Sequence, residues 1–304
     1  MKSLKPIYIA ANTDAVDAGP ITKDIALMAV AKRTCTPLEC IGAIGDSVND
    51  LPFLRVSNLG LVGAPRNAQP VVRKFVENAP NGYVSERDYL EGFLDFYARC
   101  TAKHLQLVVA DRDGVLVWNN DEHEIQSLAK LFATMGNDGH PIVFILTGSS
   151  AAQNQDLLRK PAIADALAHN KQVRLYPYLI LAENGAIALN VLDGSANLAS
   201  DSGANETSLL TSEFRTRLLE KVDREVLPKF DLAISYQHAD QDGKIFIPEK
   251  RTMVTLNIPR SHKEFRDYRR SADSGELRAA ISKAMVDTAD QLSIPYCILE
   301  ESSS

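Results

Sequence analysis

Two aspartates, Asp111 and Asp113, follow a short apolar stretch and precede Gly114 in the sequence LQLVVADRDGVL. The apolar residues of Leu105–Val109 predict a strand that is buried on both faces. Open parallel sheets form ligand sites beyond the carboxyl ends of their strands, where both carboxylates would then lie. Two carboxylates about 4 Å apart repel by roughly 4 kcal/mol at an effective dielectric of ~20, unless a divalent cation or a proton neutralises one. Taken alone, the pattern is equally typical of a polar turn.

A second acidic pair follows another predicted strand. Asp46 and Asp50 lie in the sequence GDSVND, directly after the apolar stretch Ile41–Ile44. Carboxylates at this position would complete an oxygen-rich site for a small hard cation such as Mg²⁺. In isolation the same two residues are more typical of a helix cap.

A hydroxyl, a backbone N–H and a cation suited to a phosphoryl group occur at three further positions. Thr147 and Gly148 follow the apolar strand Ile142–Leu146, and the Gly148 N–H is predicted to lie at a helix start. Lys23 begins a predicted helix that ends near Lys32. Separately, these are a turn and a solvated lysine. Their joint occurrence with the two acidic pairs favours catalysis of phosphoryl transfer.

Predicted strands alternate with predicted helices over residues 20–191, whereas Asn12–Pro20 is rich in turn residues. This alternation predicts an α/β fold with a Rossmann-like, doubly wound parallel sheet. The expected helices are Lys23–Lys32, Val71–Val76, Glu86–Arg99, Glu122–Met135 and one through Asp165–Ala168, and the further strands are Leu61–Gly63 and Tyr178–Ala182.

The pattern changes after Leu192, and residues 192–304 together with 1–19 are predicted to form a smaller α+β domain. The N-terminal segment Lys5–Ala11, which contains the predicted strand Ile7–Ala11, would complete its sheet in cis, or in another copy of the chain by domain swapping. Turn residues at 241–243 predict a hairpin between Tyr236 and Ile245. The other expected elements are a loop at Asp193–Ser208, helices at Thr211–Val226 and Leu277–Leu292, and strands at Leu232–His238, Thr252–Ile258 and Tyr296–Leu299.

The composition is that of an ordinary globular protein. The 304 residues carry a net charge of −6, so no basic excess indicates nucleic-acid binding. No apolar run reaches the ~18 residues of a membrane span, and the first twenty residues resemble neither a signal nor a transit peptide. The four cysteines lack a CxxC pair, which predicts reduced, buried thiols in a cytoplasmic protein. The histidines show no ligand spacing, and nothing indicates a homo-oligomer.

Taken together, the motifs resemble those of haloacid dehalogenase (HAD) superfamily phosphatases. DRDGVL resembles the first motif, VFILTGSS the second, the lysine of GPITKDIAL the third, and GDSVND followed by LPFL the fourth. ENGA at residues 183–186 resembles the loop before the cap domain in the type II, C2-capped branch, which includes sucrose-phosphatase-like, mannosylphosphoglycerate-phosphatase-like and Cof-like enzymes.

The resemblance implies a role for each motif residue. Asp111 would be the nucleophile and Asp113 the general acid and base. The phosphate would be held by Thr147, Gly148 and Lys23. The implied Mg²⁺ ligands are Asp46, Asp50, Asp111 and the main-chain carbonyl of Asp113, with Asn49 as a supporting hydrogen-bonding residue.

The motif order departs from that of the family: here it is third, fourth, first, second and cap. This order indicates a circular permutation cut inside the cap, with the original termini joined through Asp95–Lys103. The implied activity is Mg²⁺-dependent hydrolysis of a small phosphomonoester, most simply a sugar phosphate. A phosphotransferase or mutase using the same site, or a non-catalytic binding domain that retains the fold, are the alternatives. Lys250, Arg251 and Arg260 would meet an anionic substrate or form a solvated face.

Overall fold

The computed structural model describes residues 6–11, 15–117, 121–199, 212–237, 243–259, 261–262 and 275–299. The chain divides into two compact units. The larger unit is Thr22–Gly203, and the smaller unit combines Met1–Ile21 with Ala204–Ser304. No helix in the described ranges is both long and apolar enough to cross a membrane.

The strands are numbered along the chain. They are β1 (Ile7–Ala11), β2 (Ala15–Gly19), β3 (Ile41–Ile44), β4 (Leu61–Ala64), β5 (Gly82–Val84), β6 (Leu107–Ala110), β7 (Ile142–Leu146), β8 (Ile180–Ala182), β9 (Ile187–Leu189), β10 (Ala196–Leu198), β11 (Ala233–Ser235), β12 (Lys244–Phe246), β13 (Val254–Asn257) and β14 (Tyr296–Leu299).

The α-helices are numbered in the same way. They are α1 (Lys23–Thr34), α2 (Leu51–Leu54), α3 (Pro70–Asn78), α4 (Tyr89–Ala102), α5 (Glu122–Thr134), α6 (Ala151–Leu158), α7 (Pro161–His169), α8 (Lys171–Leu175), α9 (Ser212–Lys221) and α10 (Gly275–Gln291). Short 3₁₀ turns occur at Leu38–Cys40, Val48–Asp50, Glu183–Gly185 and Leu227–Phe230, and α9 continues into a π-helical turn at Val222–Val226.

The larger unit is built on an eight-stranded sheet with the order β10-β9-β8-β7-β6-β3-β4-β5. Strands β3 and β6 are short, apolar and fully buried, as expected for interior parallel strands. Ile44 at the end of β3 pairs with Ala110 at the end of β6, and Ala110 pairs with Ile145 near the end of β7. The residues that follow these three strands therefore meet at one edge of the sheet.

The α/β class is confirmed, and the arrangement is consistent with a Rossmann-like fold, but the sheet is mixed rather than parallel throughout. The neighbouring strands β8, β7, β6, β3, β4 and β5 run parallel to one another. Strands β9 and β10 are antiparallel additions at one edge. The turn Glu183–Gly185 reverses the chain between β8 and β9, with left-handed backbone at both Glu183 and Asn184. The predicted loop Asp193–Ser208 contains β10. The sequence pattern of this three-residue strand is too short to be distinguished from a turn.

Two helix starts in the larger unit differ from the sequence prediction. Helix α4 begins at Tyr89 rather than Glu86, since the chain first completes β5, a strand that the sequence pattern did not reveal. Helix α6 begins at Ala151 with Ser150 as its N-cap, so Gly148 lies in the preceding turn and not at the first helical residue. Thr22, a residue type typical of an N-cap, precedes α1, but its side chain makes no capping hydrogen bond.

The smaller unit contains a six-stranded sheet with the order β11-β12-β13-β2-β1-β14. Strand β1 pairs with β2 and β14 of the same chain. Val16 and Ala18 of β2 belong to an apolar core with Phe214 of α9 and Ile281 of α10. Strand β2 lies in a stretch predicted to be a turn-rich connection, and that prediction was wrong. Its sequence AVDAG places Asp17 in a fully buried strand, where a polar residue is not expected.

Two further expectations for the smaller unit, and one for the cysteines, need correction. Strands β11 and β12 pair in parallel, so the predicted hairpin is absent, although Gly243 has the positive φ of 70° expected in a turn. Lys250 is buried beside Thr255 and Asp17 and is not part of a solvated face. Arg260 lies outside the described residues. Across the whole chain the four cysteines are unbonded, but only Cys100 is buried; Cys40 is half-buried, and Cys35 and Cys297 are exposed.

Candidate active site

Three carboxylates from two different strand ends converge in the larger unit. Asp46 and Asp50 follow β3, Asp111 follows β6, and one oxygen atom from each lies within 4.8 Å of the other two. The Nζ atom of Lys23, at the start of α1, is 2.6 Å from Oδ1 of Asp50 and 2.9 Å from Oδ1 of Asp111. Three clustered carboxyl groups, two of which bind Lys23, therefore lie at one edge of the sheet.

Asp50 is held by the turn in which it lies. Its Oδ2 accepts hydrogen bonds from the backbone N–H groups of Asp46 at 2.8 Å and Ser47 at 2.9 Å, and from the Ser47 hydroxyl at 3.2 Å. This is a capping box at the start of the short Val48–Asp50 turn, which explains why an acidic residue lies four positions after Asp46. Asp50 uses one oxygen to fix the loop and the other to bind Lys23.

Asp46 lies directly against the turn that carries Asp111 and Asp113. Gly114 in this turn has a φ of +83°, and a Cβ atom placed on it would be only 2.2 Å from Oδ2 of Asp46. The Asn67 side chain fixes the same turn, because its Nδ2 donates to the Gly114 carbonyl at 2.8 Å while its Oδ1 accepts from the Tyr89 N–H at 2.6 Å. Glycine at this position therefore lets the Asp46 carboxylate lie directly against the turn, where any other residue would displace it.

The electrostatics of the site favour an additional positive charge. Burial raises the pKa of the Asp111 carboxyl above its ordinary value, the nearby Asp50 charge raises it further, and Lys23 only partly offsets both effects. Burial lowers the pKa of Lys23, but the charges of Asp111 and Asp50 outweigh this effect, so its pKa is raised and the ammonium remains protonated. Acidic oxygens that one lysine does not neutralise are the donor set that a hard divalent cation prefers.

Asp113 has different surroundings although it is only two residues from Asp111. Its side chain is 51% exposed. Its Oδ1 accepts from Nε and Nη2 of Arg112 at 3.1 and 2.8 Å, and its Oδ2 accepts from the hydroxyl of Ser149 at 2.6 Å. Partial burial raises the pKa of Asp113, but the Arg112 charge and these hydrogen bonds outweigh it, so the pKa lies below its ordinary value. The two aspartates are thus electrostatically distinct.

The turn after β7 brings Thr147 next to Asp113. Thr147 is fully buried, its hydroxyl donates to Oδ2 of Asp113 at 3.3 Å, and it accepts from the Ser149 N–H at 3.0 Å. On the other side of the turn, Nδ2 of Asn49 donates to Oδ1 of Asn184 at 3.4 Å. A Cβ atom on Gly148 would lie 3.4 Å from that same Asn184 oxygen. Gly148 therefore lies beside the amides of Asn49 and Asn184.

The chain is similar to a phosphatase. A stretch of 75 residues is 36% identical to the phosphoglycolate phosphatase of Methanothrix thermoacetophila, and it covers 25% of this chain and 31% of the relative. The chain thus spans about a third of the length of the curated relative that it matches. No family model matches the chain, and no solved structure matches it significantly.

All predicted site residues lie in the larger unit, but sequence reasoning missed several residues that hold them in place. Ser47 and Asn67 fix the two acidic loops, and Gln69 accepts from the Val48 N–H at 2.9 Å while its own N–H donates to the Asp46 carbonyl at 2.8 Å. Ser149 and Arg112 bind Asp113. Only their position next to a motif residue or between two of them could have identified these side chains, since polar residues in loops are common without such roles.

Proposed function

We propose that this protein is a Mg²⁺-dependent phosphatase of the HAD type, which hydrolyses a small phosphomonoester through an aspartyl-phosphate at Asp111. The observation that carries the proposal is the convergence of Asp46, Asp50 and Asp111, the last two bound to Lys23, at the carboxyl ends of neighbouring parallel strands. The similarity to a phosphoglycolate phosphatase, a HAD-family enzyme, supports a phosphatase function.

The carboxylate cluster fits a magnesium ion by its charge and donor chemistry. Three carboxylates near one lysine leave the site with a formal charge of −2, and Asp111 is buried to the point that its ionised form is disfavoured. We assign Asp46 and Asp111 as side chains that would hold Mg²⁺, together with the main-chain carbonyl of Asp113, and Asp50 through Oδ1, the oxygen that also binds Lys23. When bound, the ion supplies positive charge that lets a phosphate dianion approach an anionic nucleophile and stabilises the transition state.

Asp111 is suited to nucleophilic attack because one of its oxygens is already fixed. Its Oδ1 binds Lys23 at 2.9 Å and accepts from the Arg112 N–H at 2.8 Å. In the first step an Asp111 oxygen forms a bond to phosphorus, and the bond from phosphorus to the ester oxygen breaks. Asp113, which must take up a proton before this step although Arg112 lowers its pKa, donates that proton to the ester oxygen. The Thr147 hydroxyl, the Gly148 N–H and the Lys23 ammonium would bind the transferred phosphoryl oxygens.

The second step returns the enzyme to its starting state. Asp113, now a carboxylate, removes a proton from water, and the water oxygen forms a bond to phosphorus as the bond to Asp111 breaks. This exchange of roles requires one protected and one accessible carboxyl group. The half-exposed Asp113 is open to water, and the bound ion would keep the buried Asp111 ionised although its pKa is raised in the ion's absence.

The smaller unit is proposed to be the C2-type cap, and the chain a circular permutant with the domain limits 20–191 for the core and 192–304 with 1–19 for the cap. The α+β composition of the smaller unit and the adjacency of β3 and β6, despite the altered motif order, support this proposal. Closure of a cap would exclude water during the transfer to Asp111. Substitutions in the smaller unit should then change substrate choice without changing metal affinity.

A phosphate-release assay over a panel of esters tests the function. The panel includes hexose and pentose phosphates, which we favour as substrates, and phosphoglycolate, which the name of the relative indicates. We expect release with Mg²⁺, none with EDTA and none from Asp111→Asn. Release that is insensitive to EDTA would contradict the proposal. Transfer of phosphate to an added alcohol instead of water would indicate a phosphotransferase or mutase. Binding of an ester without turnover would indicate a binding domain.

A further inference from the structure

The residue between the two motif aspartates is held at both its main chain and its side chain. The Arg112 N–H donates to Oδ1 of Asp111 at 2.8 Å, and the Arg112 carbonyl accepts from the N–H groups of Leu116 at 2.9 Å and Val117 at 2.8 Å. The Arg112 side chain is only 12% exposed. A largely buried arginine in so constrained a turn has few orientations available to it.

Each nitrogen of the Arg112 guanidinium has a partner. Nε and Nη2 both donate to Oδ1 of Asp113, at 3.1 and 2.8 Å, and Nη1 donates to Oδ1 of Asn154 at 3.2 Å. Such a planar fork fixes the carboxylate in direction as well as in distance, which a single ammonium would not do.

Asn154 is a fixed anchor for this guanidinium. It is fully buried in the first turn of α6, and its Nδ2 donates to the Ser150 carbonyl at 2.8 Å. Ser150 and Gln153 form a capping box that stabilises the same turn. Among the described contacts, Arg112 alone links the start of α6 to Oδ1 of Asp113.

The other oxygen of Asp113 is held from the same part of the chain. Oδ2 accepts from the hydroxyls of Ser149 at 2.6 Å and Thr147 at 3.3 Å. Both oxygens of a half-exposed carboxylate are therefore tethered to residues 147–154, one directly and one through Arg112. An exposed aspartate with no such ties would sample several rotamers.

We propose that Arg112, anchored by Asn154, is a positioning residue that fixes the Asp113 carboxyl for proton transfer to the leaving group. The proposal rests on the phosphatase function above. Arg112 acts through Asp113 and does not itself bind the transferred phosphate. Proton donation matters most when the leaving oxygen is strongly basic, as in an alkyl phosphate, and least when it is weakly basic, as in 4-nitrophenyl phosphate.

The test compares these two esters in kcat/KM, which reports only the steps up to release of the leaving group. For Arg112→Leu we expect a loss of about 10- to 100-fold with the alkyl phosphate and less than about 3-fold with 4-nitrophenyl phosphate, as for partial loss of general acid catalysis. Asn154→Leu should reproduce this selectivity. The double variant Arg112→Leu/Asn154→Leu should lose no more than Arg112→Leu alone.

The possible outcomes separate the positioning role from others. An equal loss with both esters would overturn it, because damage to the fold or direct binding of phosphate by Arg112 affects both substrates alike. Unchanged kcat/KM with the alkyl phosphate would overturn it as well. A wild-type protein that hydrolyses no ester of the panel above, nor either of these two, would overturn the phosphatase function and this inference together. A crystal structure of Asn154→Leu gives a readout without turnover: we expect the Asp113 side chain in more than one rotamer, and an unchanged Asp113 would contradict the proposal.

Discussion

Replacing Gly114 with alanine tests whether Asp46 must lie against the turn that carries Asp111. A Cβ atom at this position would be 2.2 Å from Oδ2 and 2.7 Å from Cγ of Asp46. The neighbour that would have to move is the end of a flexible side chain rather than backbone. The fold can therefore accommodate the new methyl group by displacing the Asp46 carboxylate.

The magnitude follows from the geometry of metal binding. An ordinary carbon–oxygen contact is above about 3 Å, so the Asp46 carboxylate would have to shift by roughly 1 Å, whereas ligand distances at a metal vary by only about 0.2 Å. The proposed magnesium site would lose one carboxylate ligand. We expect a fall in Mg²⁺ affinity of at least about 10-fold, the lower end of what even supporting residues of metal sites contribute.

Gly139 provides a matched control within the same unit. Its φ is +81°, close to the +83° of Gly114, but no atom lies within 4 Å of a Cβ placed on it. Alanine at either position adopts a left-handed backbone at a cost of about 1–2 kcal/mol. The two variants should thus be destabilised to a similar extent, and only Gly114→Ala should lose metal affinity.

Isothermal titration with Mg²⁺ and urea denaturation in EDTA measure the two quantities separately. Equal Mg²⁺ affinity in Gly114→Ala, Gly139→Ala and wild type would refute the assignment of Asp46 as a ligand. A much larger loss of stability in Gly114→Ala than in Gly139→Ala would show that backbone, rather than the Asp46 side chain, yields to the methyl group.

Two further substitutions examine the charges at the site. Lys23→Met removes the partner of Asp50 and Asp111 and should lower the free energy of unfolding in EDTA by about 3–5 kcal/mol. The control Lys130→Met replaces an exposed lysine and should lower it by about 0.5 kcal/mol. Urea denaturation measures both variants, and equal losses would contradict the buried role of Lys23. Asp111→Asn should abolish phosphate release and flatten the pH dependence of stability. Because the folded-state pKa of Asp111 is raised, wild type without metal should lose stability as pH rises from the ordinary carboxyl value of 3.8 through that raised pKa, and a denaturation series over pH in EDTA should show no such decline for Asp111→Asn.

The strand ends that form the candidate site could be predicted because interior parallel strands have a strong sequence signal. Four or five consecutive apolar residues followed by polar ones identify β3, β6 and β7, and polar groups after neighbouring parallel strands must meet at one edge. The sequence could not provide the strand order. The pairing of Ile44 with Ala110 joins strands that are distant in the chain, and this pairing brings Asp46 close to Asp111.

The parts that sequence reasoning missed have weak local signals. Strand β2 carries Asp17 in a buried position, where its partner Thr255 is 238 residues away in the chain. The parallel pairing of β11 with β12 runs against turn chemistry that indicates a hairpin. The roles of Arg112 and Asn154 depend on a contact across 42 residues, and neither residue type is unusual where it occurs.

The most direct test of the central claim is to locate a cation by diffraction. Mn²⁺, which takes the same oxygen ligands as Mg²⁺, scatters anomalously, so a crystal grown with saturating Mn²⁺ reveals the metal position without reference to activity. We predict one strong anomalous peak in the larger unit, in contact with carboxylate oxygens of Asp46 and Asp111. Crystals of the intact protein at saturating Mn²⁺ with no peak at these carboxylates would contradict the account.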